Sequence, residues 1–167
     1  MNAAIAARRS IRKYQPDKPV TREQLRQLLS AAMLAPSARN RRPWEFIAVT
    51  RRELLDKIAH FHPYGKMMLE APAAIVVVGI PQPDMLEGYL PQDCGAATEN
   101  ILLEAVDMGL GTCWCGVYPR KERMEGIARI LEIPAPRFAF CVIAVGVPDE
   151  APAQRGFYEE ARVTFVE

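Results

Sequence analysis

Residues Ala73–Gly79 carry Ile75, Val76, Val77 and Val78 in unbroken succession, a β-branched run with no polar position to turn toward water. Such a run suits a strand buried on both faces, and therefore a strand central in its sheet. A second fully buried strand is expected over Phe138–Val147. The longest apolar helix is expected at about Gln92–Met108, where Ala96, Ala97, Ile101, Leu102, Ala105 and Val106 leave few polar positions. A helix of that kind belongs in a core or at a subunit interface, and Gly109 is placed to stop it.

The remaining elements follow from caps and periodicity. A short helix is expected over Ala3–Arg8. A second runs from Thr21 to about Leu34, with Thr21-x-x-Gln24 as a capping box, Leu25, Leu28, Leu29, Ala32 and Met33 on one face, and Pro36 beyond its end. Glu45–Val49 reads as a strand, and Thr50-x-x-Glu53 as the cap of a helix bearing Leu54, Leu55 and Ile58. His60–Gly65 reads as loop, Thr112–Val117 as a strand, Lys121–Leu131 as a helix, and the tail Arg162–Val166 as an edge strand by its period-two alternation. The pattern fits a two-layer or three-layer mixture of α and β. With no repeat, low-complexity tract or long linker, residues 1–167 are expected to form a single domain.

Charge and cysteine usage narrow the function. Lys and Arg number 21 against 20 Asp and Glu, a net +1. That balance argues against nucleic acid or an anionic membrane as the main partner, so any anion must be bound locally. No apolar run approaches the ~20 residues that cross a bilayer, and the first residues lack a signal-peptide pattern. A cytoplasmic location is expected. The four cysteines, Cys94, Cys113, Cys115 and Cys141, form no C-x-x-C pair, which indicates neither a disulfide framework nor a redox motif. Cys113 and Cys115 read as small buried hydrophobes. His60 and His62 lack the further ligands that zinc needs and read as a loop pair before Pro63.

Familiar catalytic motifs fail. Gly109-Leu110-Gly111-Thr112-Cys113-Trp114 approaches a dinucleotide turn, but Trp stands at the third glycine and the order is helix to strand. A phosphate-binding P-loop and a nucleophile elbow are both absent. What remains is cationic. Arg8-Arg9-Ser10-Ile11-Arg12-Lys13-Tyr14 gathers guanidinium, hydroxyl and backbone donors at a helix end, which suits a phosphate monoester as well as it suits a solvated helix terminus. Pro36-Ser37-Ala38-Arg39-Asn40-Arg41-Arg42-Pro43-Trp44 is a polar loop stiffened by prolines.

In that order and spacing, Arg8-Arg9-Ser10-x-Arg12-x-Tyr14, Pro36-Ser37-x-x-Asn40-x-x-Pro43-Trp44 and Gly109-Leu110-Gly111-Thr112-Cys113-Trp114, with a basic Arg155 beyond, resemble the nitroreductase family of FMN-dependent oxidoreductases. The resemblance covers essentially the whole chain. It implies an α+β fold with a central mixed sheet wrapped by helices, and an intertwined homodimer with two FMN sites at the subunit interface. It further implies that Arg8, Arg9 and Ser10 bind the ribityl phosphate, that Arg12 stands near the pyrimidine edge of the flavin, and that Arg155 is a C-terminal phosphate ligand. Pro36, Ser37, Ala38 and Asn40 resemble the loop that reaches the flavin from the other subunit. Trp114, Cys115 and Gly116 match the strand end beside the ring, where a backbone N–H near Gly116 or Val117 approaches flavin N5. Three positions depart from the family pattern: Arg42 where Gln often precedes Pro-Trp, Val117 where a second Gly is usual, and Ala153 where Lys is usual. They bear on substrate polarity and on the approach to N5.

No catalytic acid is needed in that scheme, because the redox chemistry belongs to the cofactor and a fixed guanidinium stabilises the charge of its reduced form. NADH or NADPH is the expected reductant and a small molecule the acceptor, in a ping-pong cycle. Two other readings compete. One is a non-catalytic FMN carrier or sensor; the other, an RNA binder built on Arg8–Lys13 and Arg39–Arg42, lacks interleaved aromatics and a basic overall charge. Trp44 reads as core, and Tyr64 and Lys66 fit either a flavin-edge loop or plain surface.

Overall fold

A computed structural model describes every residue of the chain except Glu87, Gln154, Arg155 and Phe157. The elements are α1 (Ala3–Ala7), α2 (Arg22–Met33), β1 (Trp44–Val49), α3 (Arg52–Phe61), β2 (Ala73–Gly79), α4 (Tyr89–Asp107), β3 (Gly111–Gly116), α5 (Lys121–Leu131) and β4 (Phe138–Gly146), with short 3-10 turns at Ala38–Asn40, Lys66–Leu69 and Glu160–Arg162. The fold is α+β. The four strands form one sheet in the order β1-β2-β4-β3.

The two β-branched runs pair with each other at the centre. Ile75 lies opposite Ile143 and Val76 opposite Val142, and every residue of β2 is buried. Successive side chains of a strand point to opposite faces, so each face needs its own cover. On one side Val76, Val78, Val142 and Ala144 pack with Leu55, Ile58 and Ala59 of α3, Met67 and Met68 of the second 3-10 turn, and Ile127 of α5. On the other, Ile75, Val77, Ile143 and Val145 meet Leu25, Leu28 and Ala32 of α2 and Cys94, Ala97, Ile101 and Ala105 of α4. The pattern left two or three layers open; the fully buried strands are satisfied by three.

Local signals explain most boundaries. The Thr21 hydroxyl accepts the Gln24 N–H at 3.1 Å while the Gln24 side chain accepts the Thr21 N–H at 2.9 Å, a complete capping box. Helix α4 ends in a Schellman motif: Gly109 adopts φ +69, its N–H donates to Val106 O, and the Leu110 N–H donates to Ala105 O.

Four expectations are corrected. All named strand pairs are antiparallel, and among the described residues parallel pairing is confined to one bridge, Ser10 with Thr112. Thr50 does not cap α3; Arg51 takes the N-cap position without a side-chain bond, so Glu53 falls at the second helical residue and pairs instead with Lys57. The segment read as loop from His60 is helical through Phe61, because Leu55, Ile58, Ala59 and His62 continue one buried face. The tail holds a 3-10 turn at Glu160–Arg162 and no strand among its described residues; Val163, Phe165 and Val166 are exposed.

Candidate active site

Helix α1 is short and delivers the cationic segment to a sheet edge. The Asn2 side chain accepts the Ala4 N–H at 2.9 Å, and at the other end Arg8 N–H donates to Ala4 O at 2.8 Å. The chain then reaches β3, where Ile11 N–H donates to Thr112 O at 2.9 Å. Ile11 and Tyr14 are buried, and the Tyr14 hydroxyl donates to Ile11 O at 2.7 Å. Burial, the largest influence, pushes the Tyr14 phenol far above its ordinary pKa, so it is a fixed donor. With two of its side chains anchored inward, the segment turns its charges outward.

Arg8, Arg9, Ser10 and Arg12, with Glu150 and Pro152, line a cleft of about 400 Å³. Glu150 Oε1 accepts the backbone N–H groups of Arg12 and Lys13, so those donors serve the turn itself. Arg8 pairs with Glu99 of α4 at 3.5 Å, and Arg9 Nε donates to Ala153 O at 3.2 Å. Among the described residues, no hydrogen bond or ion pair engages the Arg12 guanidinium or the Ser10 hydroxyl. Arg12 lies close enough to β3 for its charge to act on the Cys113 and Cys115 thiols.

The register of β3 decides what its edge offers. Val117 N–H donates to Phe140 O at 3.2 Å, which makes Gly116 and Cys141 a non-hydrogen-bonded pair. In such a pair both the N–H and the C=O point away from the partner strand. Gly116 therefore presents its N–H on the free edge, and of the two expected candidates Val117 is already occupied. A Cβ built at Gly116 meets nothing within 4 Å, so none of the described residues fills the space next to this glycine. Trp114 is 38% exposed beside it, 5.9 Å from the Phe140 ring. The Cys115 side chain is buried as expected: alternation turns it into the core, where its thiol donates to Tyr64 O at 3.5 Å, so only its backbone lies along the strand end.

These groups converge on one face of α4. Trp114 stands 3.9 Å from the Cβ position of Gly95, and Arg8 reaches Glu99, one turn further on. The Pro36–Pro43 loop sits elsewhere. Its Ala38 N–H donates at 3.0 Å to Asp93, which lies about 160° around the helix from Gly95. Ser37 Oγ accepts the Arg42 N–H at 2.9 Å and Asn40 Oδ1 accepts from Arg42 Nε at 3.1 Å, bonds that shape the loop from within. Arg39, Asn40 and Arg42 all take positive φ, 53, 53 and 49, which costs each residue roughly 1–2 kcal/mol. The cleft at Arg8–Arg12 and the cavity at Ala38, Arg39, Arg41 and Tyr89 share no residue. One chain thus brings together Arg8, Arg9, Ser10, Arg12, Trp114 and Gly116, and leaves Pro36, Ser37, Ala38 and Asn40 apart. Arg155 lies outside the described residues.

Two residues here were not among the expected site residues: His62, read only as one of a loop pair before Pro63, and Arg123. His62 is 1% exposed and its Nε2 lies 2.9 Å from Gly116 O; Arg123 Nη1 donates to the same carbonyl at 3.0 Å. The signal for His62 was its place on the Leu55, Ile58, Ala59 face; for Arg123 there was none. Trp44 is buried as expected, and Tyr64 is 69% exposed.

Comparison with known proteins extends this picture along the chain. The profile of the nitroreductase family matches residues 5–62 and 59–147. A provisionally named NADH dehydrogenase/NAD(P)H nitroreductase of Methanothermobacter thermautotrophicus is 47% identical over 160 residues, 96% of this chain and 83% of that protein. The solved structure of an FMN-dependent nitroreductase from Clostridium difficile R20291 superimposes with a TM-score of 0.89 at 31% identity, covering 100% of this chain and 99% of that one. A provisionally named NADH oxidase from Clostridium acetobutylicum gives a TM-score of 0.91 at 38% identity, covering 98% and 99%. The family match spans residues that include both the cationic turn and the open strand edge, and the chain belongs to the nitroreductase family.

Proposed function

We propose that the chain is an FMN-dependent oxidoreductase that uses NADH or NADPH to reduce small electron acceptors such as nitroaromatics or quinones. The observation that carries this reading is the open space over Gly116 beside a backbone N–H on the free edge of β3, the same strand whose other end pairs with the cationic turn at Ser10. The residues fit the cofactor. Arg8, Arg9 and Ser10 offer charge-assisted and hydroxyl donors to a terminal phosphate, while no dinucleotide turn is present to cradle a pyrophosphate. Arg12 supplies fixed positive charge to the pyrimidine edge, Gly116 N–H a donor toward N5, and Trp114 an apolar wall. When bound, FMN supplies two-electron redox chemistry between the nicotinamide and the acceptor. The two substrates take turns over one surface, a ping-pong order.

The same reading makes the protein a homodimer with shared sites. The Asn40 loop lies on a different face of α4 from the cleft, so each FMN would take Pro36, Ser37, Ala38 and Asn40 from a partner. Tyr158, Val163, Phe165 and Val166 form an exposed apolar tail suited to lie on that partner. Among the described residues no helix is long and apolar enough to cross a membrane, and a cytoplasmic setting accords with four free, buried cysteines.

Mass spectrometry of the chromophore released from purified protein tests the cofactor, and steady-state NADH and NADPH oxidation tests the activity. FMN with turnover is expected. FAD, or a colourless protein that takes up no FMN, overturns the reading; FMN without nicotinamide oxidation makes the protein a carrier or sensor.

A further inference from the structure

The carbonyl of Gly116 is held from two sides, by His62 at the end of α3 and by Arg123 in the first turn of α5. The Tyr64 N–H donates to His62 Nδ1 at 3.2 Å, which leaves the ring proton on Nε2, directed at Gly116 O. Burial, partly opposed by the Gly116 bond and assisted by the Arg123 charge, lowers the His62 pKa and keeps the ring neutral. The Arg123 guanidinium lies 5.4 Å from the centre of the Tyr64 ring, so the second donor is itself braced.

Both donors act on the residue of β3 that has most freedom to move. Glycine lacks the Cβ that would restrict its φ and ψ, and Gly116 ends its strand with open space above it. The N–H and C=O of one strand residue project to the same side. Fixing the carbonyl therefore fixes the direction of the N–H.

We propose that His62 and Arg123 are positioning residues, a two-donor clamp on the Gly116 carbonyl that aims the Gly116 N–H at the flavin. The inference rests on the FMN reading above and adds residues to it. Neither side chain needs to touch cofactor or substrate. Loss of a donor should loosen the glycine and weaken transition-state positioning more than substrate binding.

The test uses full-length protein as wild type, Arg123→Leu, His62→Leu and His62→Gln. Amide exchange at Gly116 is followed by NMR with and without FMN, alongside kcat and KM for NADH and the thermal midpoint. In wild type, FMN should slow Gly116 exchange about tenfold or more. Arg123→Leu and His62→Leu should lose most of that slowing and reduce kcat about three- to tenfold at unchanged KM. His62→Gln, whose amide nitrogen can occupy the place of Nε2, should restore both. Folded variants that retain wild-type FMN-dependent protection and wild-type kcat overturn the clamp while leaving the FMN reading intact. Should His62→Leu fail to fold, Arg123→Leu, at a half-exposed position, decides by the same criteria. Wild-type protein that binds FMN without slowing Gly116 exchange overturns the clamp alone; wild-type protein that binds no FMN overturns both.

Discussion

Gly116 and His62 show how single residues divide stability from function. Because a Cβ at Gly116 meets nothing within 4 Å, the methyls of Gly116→Val extend into open space. The FMN-free variant should be as stable as wild type, or more stable by up to about 1 kcal/mol through strand propensity. Its FMN dissociation constant should rise about tenfold or more, by steric exclusion. Unchanged FMN affinity in a titration would show that the space serves another purpose. His62 predicts a pH dependence. Burial lowers its pKa in the folded state, so the folded form binds the proton less well than the unfolded chain, whose His titrates near ~6.5. The stability that neutral His62 provides is complete above that value and is lost as pH falls through the folded pKa. His62→Gln does not titrate there. Urea unfolding from pH 7 to pH 5 should therefore favour the variant increasingly, by at most about 1.4 kcal/mol per pH unit; parallel profiles would refute this.

Elements were most legible where the signal was local. The Thr21 and Gln24 capping box and the Gly109 stop need only neighbours in the chain, and both formed as read. Thr50 and Glu53 carry the same box pattern, yet Arg51 became the N-cap, because strand β1 runs to Val49 and pairs with Ala74. Sheet pairing sets where α3 can begin. The α3–α5 contact supplies a prediction of its own. A Cβ at Gly126 would lie 1.9 Å from the Phe61 ring, so Gly126→Ala forces the ring aside. Overpacking of about 1–3 kcal/mol should outweigh a helix-propensity gain of about 1 kcal/mol. The urea midpoint should fall, and Phe61→Leu in the same chain should recover most of the loss. A stabilised Gly126→Ala single variant would show that the helices separate freely.

At the scale of the molecule, one chain holds the cationic cleft and the Asn40 loop on different faces of α4. The shared-site dimer predicts complementation. Homodimers of Arg8→Ala and of Asn40→Ala should each bind FMN roughly ten- to a hundredfold more weakly. An isolated heterodimer of the two should regain one site of wild-type affinity, since one interface then carries both lesions and the other neither. Isothermal titration counts the sites. A heterodimer with no tight site, or a monomer by light scattering that binds FMN fully, refutes the shared site.

The sequence by itself determined the elements and the two central strands. Hydrophobic period and caps act between residues a few positions apart, and a run such as Ile75–Val78 tolerates water on neither face. It also carried the cationic and glycine motifs that identify the family, because those groups lie close together in the chain. Only the tertiary structure decided that the sheet is antiparallel and covered in three layers, that Gly116 rather than Val117 offers its N–H, and that His62 and Arg123 meet on one carbonyl. Those outcomes depend on strand register and on contacts between residues as far apart as 62 and 116. A shift of one position in β3 would exchange its two faces, and nothing local in Thr112–Gly116 records which register β4 imposes.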